Sequence, residues 1–317
     1  MKLRYIVAAA VLLSLTLSSC SPQPGGAASS LPVEGAASVS SSQGSSQDAN
    51  TPPAAFRMTQ EGSVRNEKFR EREEFADFLA VAESSFLIPG LNQAMTPQGI
   101  TFSENTGLVY ITSYAIQDTP SAISAVDLTT GEIAAEYYLF QPDGTPFTSH
   151  VGGIAAAEGY LYVSAKLDND GSYSIAVLPM DRLPTEGSHD IPVEEIISQP
   201  VSPSFLNYSL GTLWVGNFYH LKGDYNLSKE MNFTTPTADG EAGCYILGYA
   251  VPEGGKIAVP DGEKYPVPVL TLVAPDKIQG VTALADRQNI TIWLSQSYWP
   301  GGQLRPAVLP VLPGGDA

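Results

Sequence analysis

Three side chains stand where chemistry is easiest to build: Gln98, His150 and Gln279. Each lies just ahead of glycine at the start of a β-rich run, in Gln98-Gly99-Ile100-Thr101, His150-Val151-Gly152-Gly153 and Gln279-Gly280-Val281-Thr282. A glycine at such a point lets a ligand or another backbone approach closely. Two amides and an imidazole gathered at one end of such strands could bind a polar ligand or a metal ion. The same groups could equally be consumed by backbone partners on neighbouring strands. The strands that follow close on Ser113-Tyr114, on Asn217 and Tyr219, and on Ser297-Tyr298, and these residues are expected to rim the same site.

Other chemistry-bearing residues fit less demanding roles. Cys244, in Gly-Cys-Tyr-Ile-Leu-Gly, is expected to be a buried, inert thiol, since no histidine lies near it in sequence. His189 and His220 are assigned to solvated loops. Asp168-Asn169-Asp170-Gly171 begins like a calcium loop but lacks the ligands that should follow, so a tight hairpin is predicted there. No Gly-x-Ser-x-Gly nucleophile turn occurs. No cofactor is assigned.

The elements that must position these residues repeat. Pro97 to Tyr114 and Gln279 to Tyr298 are both a Gln-Gly strand start, a turn, and a second strand ending in Ser-Tyr. Two further units fall between them. The first unit is predicted as Gln98–Phe102, Leu108–Tyr114, Ala122–Leu128 and Glu132–Phe140, with Gly131 supplying a positive φ in the last turn. The second is Gly153–Ala157, Tyr160–Ala165, Ser174–Pro179 and Val193–Ile197. The third is Ser204–Ser209, Thr212–Tyr219, Cys244–Val251 and Val267–Val273, and the fourth only Gln279–Leu284 and Ile290–Tyr298. A four-stranded unit of about fifty residues matches a propeller blade. The predicted fold is all-β, a β-propeller over residues 88–298 with four visible blades, the last incomplete, and an amphipathic helix over 56–87 carrying Phe75, Phe78, Leu79 and Ala82 on one face.

The repeated pattern resembles the broad class of secreted propellers related to gluconolactonases and strictosidine synthases, and Pro97-Gln98-Gly99-Ile100, His150-Val151-Gly152-Gly153 and Leu213-Trp214-Val215-Gly216 more loosely resemble strand starts of bacterial secreted propellers. The resemblance spans roughly residues 88 to 298 and implies an intact ring of about five or six blades. The calcium-dependent lactonases of that class hold their ion with glutamate, asparagine and aspartate at the channel. The strand starts here hold Gln98, His150, Ser204 and Gln279 instead, and no strictosidine-synthase-type glutamate is identifiable. The expected function is therefore binding of a small-molecule or protein ligand at the channel mouth without an assigned reaction. The competing reading is a metal-assisted hydrolase or lyase of the same fold with His150 as base or ligand.

The N-terminus sets the expected address. Lys2 and Arg4 precede an apolar run from Tyr5 to Leu17, and Leu17-Ser18-Ser19-Cys20 resembles a bacterial lipoprotein signal. The expectation is a signal peptide over 1–19, a lipidated Cys20 anchored in the bacterial cell membrane, and a domain held on its extracytoplasmic face. Residues 20–55 hold that cysteine and a Ser-, Gly-, Ala- and Pro-rich linker, whose coil reach is on the order of 30–35 Å. The formal net charge is −17, which argues against nucleic acid, whose phosphates require Lys and Arg. A monomer is expected. After Tyr298 the chain turns Pro- and Gly-rich, and residues 299–317 are read as an irregular tail out of frame with the blade that precedes it. Shifted by one base, Tyr-Trp-Pro becomes Tyr-Gly-Arg, so the coding DNA tests that reading.

Overall fold

The computed structural model describes residues 57–60, 73, 76–82, 85–115, 119–166, 173–220, 234–237, 240–286 and 289–296, and the backbone of 304–310. The chain folds into consecutive antiparallel sheets. In the first, β1 (Met95–Ser103), β2 (Leu108–Ala115), β3 (Ala122–Asp127) and β4 (Ile133–Phe140) form a meander. The turn before β4 follows its sequence: the Asp127 carboxylate accepts the N–H groups of Thr129 and Thr130 at 2.7 and 3.2 Å, and Gly131 takes φ 76°. The second sheet runs β5 (Ile154–Ala157), β6 (Tyr160–Lys166) and β7 (Tyr173–Pro179). Next comes β8 (Gly187–Pro192), which leaves that sheet and pairs parallel with β4. β9 (Glu195–Ser198) then returns to β7 and completes the sheet.

The third sheet takes β10 (Phe205–Ser209) and β11 (Thr212–Gly216). A small hairpin of β12 (Thr235–Thr237) and β13 (Gly240–Ala242) intervenes before β14 (Cys244–Ala250) and β15 (Leu270–Ala274) complete it. The fourth sheet holds β16 (Ile278–Ala285), β17 (Asn289–Gln296) and β18 (Leu304–Pro310).

Strand alternation gives each sheet two faces, and consecutive sheets share a core. Tyr110, Ile123, Tyr137 and Leu139 of the first sheet pack with Leu161, Val163 and Leu178 of the second. Tyr162, Ile175 and Val177 meet Leu213, Val215, Leu247 and Tyr249 of the third. Trp214, Cys244 and Ile246 meet Val281, Ala283, Ile292 and Leu294 of the fourth. The first strands of neighbouring sheets lie side by side in the order β1, β5, β10, β16. Sheets that succeed one another face to face, with their first strands adjacent, have the arrangement of propeller blades.

The adjacency is close enough to demand glycine. A Cβ on Gly99 would sit 2.8 Å from the Ile154 nitrogen, and one on Gly153 would sit 2.4 Å from the Leu206 nitrogen. The strand-start glycines are therefore where one blade's backbone meets the next. Hydroxyls hold the same junction. Thr112 Oγ1 accepts the Gly99 N–H at 2.9 Å and donates to the Val151 carbonyl at 2.8 Å. Ser164 Oγ accepts the Gly153 N–H at 2.7 Å. Gly280 stands opposite Ser295 in the fourth sheet. In the third the sizes are exchanged: Phe205 stands opposite Gly216, and its ring fills the space a Gly216 Cβ would need.

Four expectations need correction. Residues 304–310 form a strand paired to β17 along its length, so the fourth sheet has three strands where an unpaired tail was expected. Strands pair through the backbone, and the tail's prolines leave enough donors and acceptors to serve an edge. Within 56–87, the described residues are helical over α1 (Ala76–Val81), with a single 3-10 position at Glu73. Residues 57–60 are not helical. They are held against the first blade, with the Met58 N–H donating to Tyr138 Oη at 3.1 Å and the Gln60 side chain donating to the carbonyls of Leu87 and Gly131. His189 lies in β8, not in a loop, with Nε2 2.6 Å from the Glu186 carbonyl oxygen. The last strand of the second sheet is Glu195–Ser198 in place of Val193–Ile197.

Candidate functional site

At the junction of the first two blades lies a pocket of about 260 Å³. Tyr114 and Ala115, at the end of β2, form one wall, and Lys166, at the end of β6, forms another. Thr119 and Ser121 lead into β3, and Thr148, Ser149 and His150 lead into the second blade. The rings of Tyr114 and His150 meet at 4.3 Å between centroids, tilted by 54°.

Backbone geometry fixes this wall. Val151, directly after His150, is buried and takes φ 39°, a left-handed conformation that a β-branched residue rarely adopts. The Thr112 hydroxyl holds its carbonyl in place. Ser121 and Ser149 clasp each other: Ser121 Oγ donates to the Ser149 carbonyl at 2.6 Å and accepts the Ser149 N–H at 3.0 Å. Ser149 Oγ accepts the Lys166 N–H at 2.9 Å, so its own hydroxyl hydrogen faces no acceptor among the described residues.

His150 keeps solvent access while protein surrounds much of its ring, as expected on a concave wall. The partial loss of water disfavours its cation and pushes its pKa below 6.5. Among the described residues no Asp or Glu lines the pocket, and Lys166 has no ion-pair partner. Among them, too, no group of three or more His, Cys, Asp or Glu is placed to hold a metal ion.

The residues expected at the channel mouth are distributed as follows. Tyr114 and His150 line the pocket together. Ser113 is fully buried with its hydroxyl unpartnered among the described residues, and strand alternation turns it to the opposite face from Tyr114. Gln98 and Gln279 occupy matching β-bulges, where the register shifts between Pro97 and Ile100 and between Ile278 and Gly280. Gln98 Nε2 donates to the Pro97 carbonyl at 3.0 Å, and Gln279 is exposed. Asn217 is fully buried: its amide donates to the Gly243 carbonyl at 3.1 Å and accepts the Tyr245 N–H at 2.6 Å. Tyr219 packs its ring on Gly243. Ser297, Tyr298, Cys20 and the Asp168–Gly171 turn lie outside the described residues. Cys244 is buried and free, its thiol donating to the Asn217 carbonyl at 3.1 Å, and burial pushes its pKa well up.

Sequence reasoning missed Lys166, although a signal for it existed. The register pairs Gly99 with Thr112 and Gly153 with Ser164, so Tyr114 and Lys166 are equivalent positions two residues beyond those hydroxyls. By the same register, the counterpart of Gln98 is Gly152, and His150 stands two residues before it.

No protein-family model matches the chain, and no curated protein matches it. Its fold is similar to solved structures at low identity. One is Kuenenia stuttgartiensis hydrazine synthase, 13% identical, covering 68% of this chain and 66% of that one, with a TM-score of 0.32. Another is a glycoside hydrolase, 16% identical, covering 65% of this chain and 44% of that one, at 0.31. A third is the β-propeller domain of Myceliophteria thermophila Cps50 (Swd1), 8% identical, covering 67% of this chain and 72% of that one, at 0.28.

Proposed function

We propose that this chain is a lipid-anchored, extracytoplasmic binding protein of the propeller class resembling gluconolactonases and strictosidine synthases, and that it holds a small polar ligand between its first two blades without a catalytic step. The observation that carries the reading is the Tyr114–His150 ring pair lining one pocket together with Lys166. An aromatic wall beside unspent polar groups is the usual make-up of a small-molecule site. The volume, about 260 Å³, lies just below the range typical of drug-sized ligands and suits a monosaccharide-sized molecule. The anchor rests on Leu17-Ser18-Ser19-Cys20, with the Ser- and Gly-rich stretch behind it as tether.

Two measurements test it. Cells fed labelled palmitate should label the wild-type protein and leave Cys20→Ser unlabelled; equal labelling refutes the anchor. The full chain's histidine ring signals should then be followed by NMR against neutral sugars, sugar acids and amino sugars. Binding at this site moves the His150 signal and leaves those of His189 and His220 in place. If no compound moves His150, the pocket is not the ligand site.

A further inference from the structure

We propose, resting on that reading of the pocket, that its ligand is an oxyanion, a carboxylate or phosphate group on a small molecule, gripped between Lys166 and His150. Three observations converge. The first is the imbalance of charge: the chain carries 33 Asp and Glu against 16 Lys and Arg, yet among the described residues this pocket is lined by a lysine and a histidine and by no acid. The second is the supply of donors. Among the described residues Lys166 has no ion-pair partner and the Ser149 hydroxyl hydrogen meets no acceptor, while Thr119 and Thr148 add hydroxyls. Each of these groups can donate to an oxyanion, and an ammonium can only donate. The third is where the groups are mounted. Lys166 ends β6, and His150 is fixed by the Val151 turn that Thr112 holds. The donors are set before the ligand arrives, which lowers the cost of binding.

Neutral His150 donates one ring hydrogen, while protonated His150 adds a second positive charge. Among the described residues, the charged and titratable groups that line the pocket with it are Lys166 from β6 and the Tyr114 phenol from β2. The lowered pKa leaves it mainly neutral at pH 7.5. Binding of an oxyanion raises that pKa by linkage, and affinity rises as the pH falls.

The test titrates the full chain with galacturonate, inorganic phosphate, galactose and galactosamine while the His150 ring signals are followed by NMR. The expected result is a saturable shift with galacturonate or phosphate and none with galactosamine. Lys166→Gln should weaken that binding at least fivefold, with the spectrum of folded protein otherwise retained. Lowering the pH from 7.5 to 5.5 should tighten galacturonate binding, measured by calorimetry, severalfold in the wild type and not in His150→Gln. A response to both anions places recognition on the oxyanion alone; a response to galacturonate alone places the sugar ring against Tyr114. Galactose binding as tightly as galacturonate overturns the oxyanion proposal and leaves the pocket reading standing. Silence of His150 toward every probe overturns both. Unchanged affinity in Lys166→Gln overturns the proposed grip even if the anion binds.

Discussion

His150 and Asn217 show how residue type alone misleads about role. Both are polar and both sit beside strand ends, yet the Asn217 amide is consumed by Gly243 and Tyr245, whereas the His150 ring meets the Tyr114 ring and faces a pocket. A buried amide that bridges two backbone groups is structural, because losing it strands both partners. A partly desolvated imidazole is a titratable group, and its sign can be worked out. The fold lowers the His150 pKa below 6.5, so the unfolded chain takes up the proton first as the pH drops. The resulting stability is complete above that value and declines as the pH falls through it. Urea melts at pH 7.5 and 5.5 should therefore separate more widely for the wild type than for His150→Gln. Equal separation would mean that His150 is not desolvated in the folded protein.

At the scale of elements, the blade junction makes a sharper demand. Gly153→Ala places a methyl group against the Leu206 nitrogen, with backbone on the receiving side, and should cost about 3 kcal/mol or more. Gly107, at φ 71° with open space around it, serves as control: its alanine variant should cost only the left-handed penalty of about 1–2 kcal/mol. Thr112→Val keeps the shape but removes the Gly99 and Val151 hydrogen bonds, at about 2 kcal/mol. Because the Val151 turn carries His150, that variant should also broaden the His150 ring signal. Denaturant melts check all three, and Gly153→Ala as mild as Gly107→Ala would refute close backbone contact between blades.

These same elements show what could be read in advance. The blade strands were legible because β-branched and aromatic alternation, cut by turn signals, is a local property; β10, β11 and β14 fall almost where the pattern puts them. The repeated Gln-Gly was legible as a repeat, but its physical content was not: it marks β-bulges, and Gly99 makes room for the backbone of the neighbouring blade. β8 was missed because Gly187-Ser-His-Asp-Ile-Pro192 has no apolar alternation, and its strand exists only because β4 offers an open edge. Lys166 was not legible because tyrosine and lysine are unlike as strand-end residues; the shared register of Thr112 and Ser164 shows Tyr114 and Lys166 to be equivalent.

At the scale of the whole molecule, stability resides between sheets. Each of the three large apolar clusters draws on neighbouring blades, so each blade depends on the one beside it. The fourth blade is the thinnest, with three strands, and β18 is its outer edge. Deleting residues 299–317 would strip that edge and expose the backbone of β17, which carries Ile292 and Leu294 into the core shared with the third blade. Loss of order should then pass inward through that shared core. The expected outcome is faster hydrogen exchange first in β17 and next in β16, a lower melting temperature, and concentration-dependent aggregation through the bared strand. Exchange at the first blade, three junctions away, should change least. If the shortened chain melts and exchanges like the full one, β18 contributes nothing to the sheet.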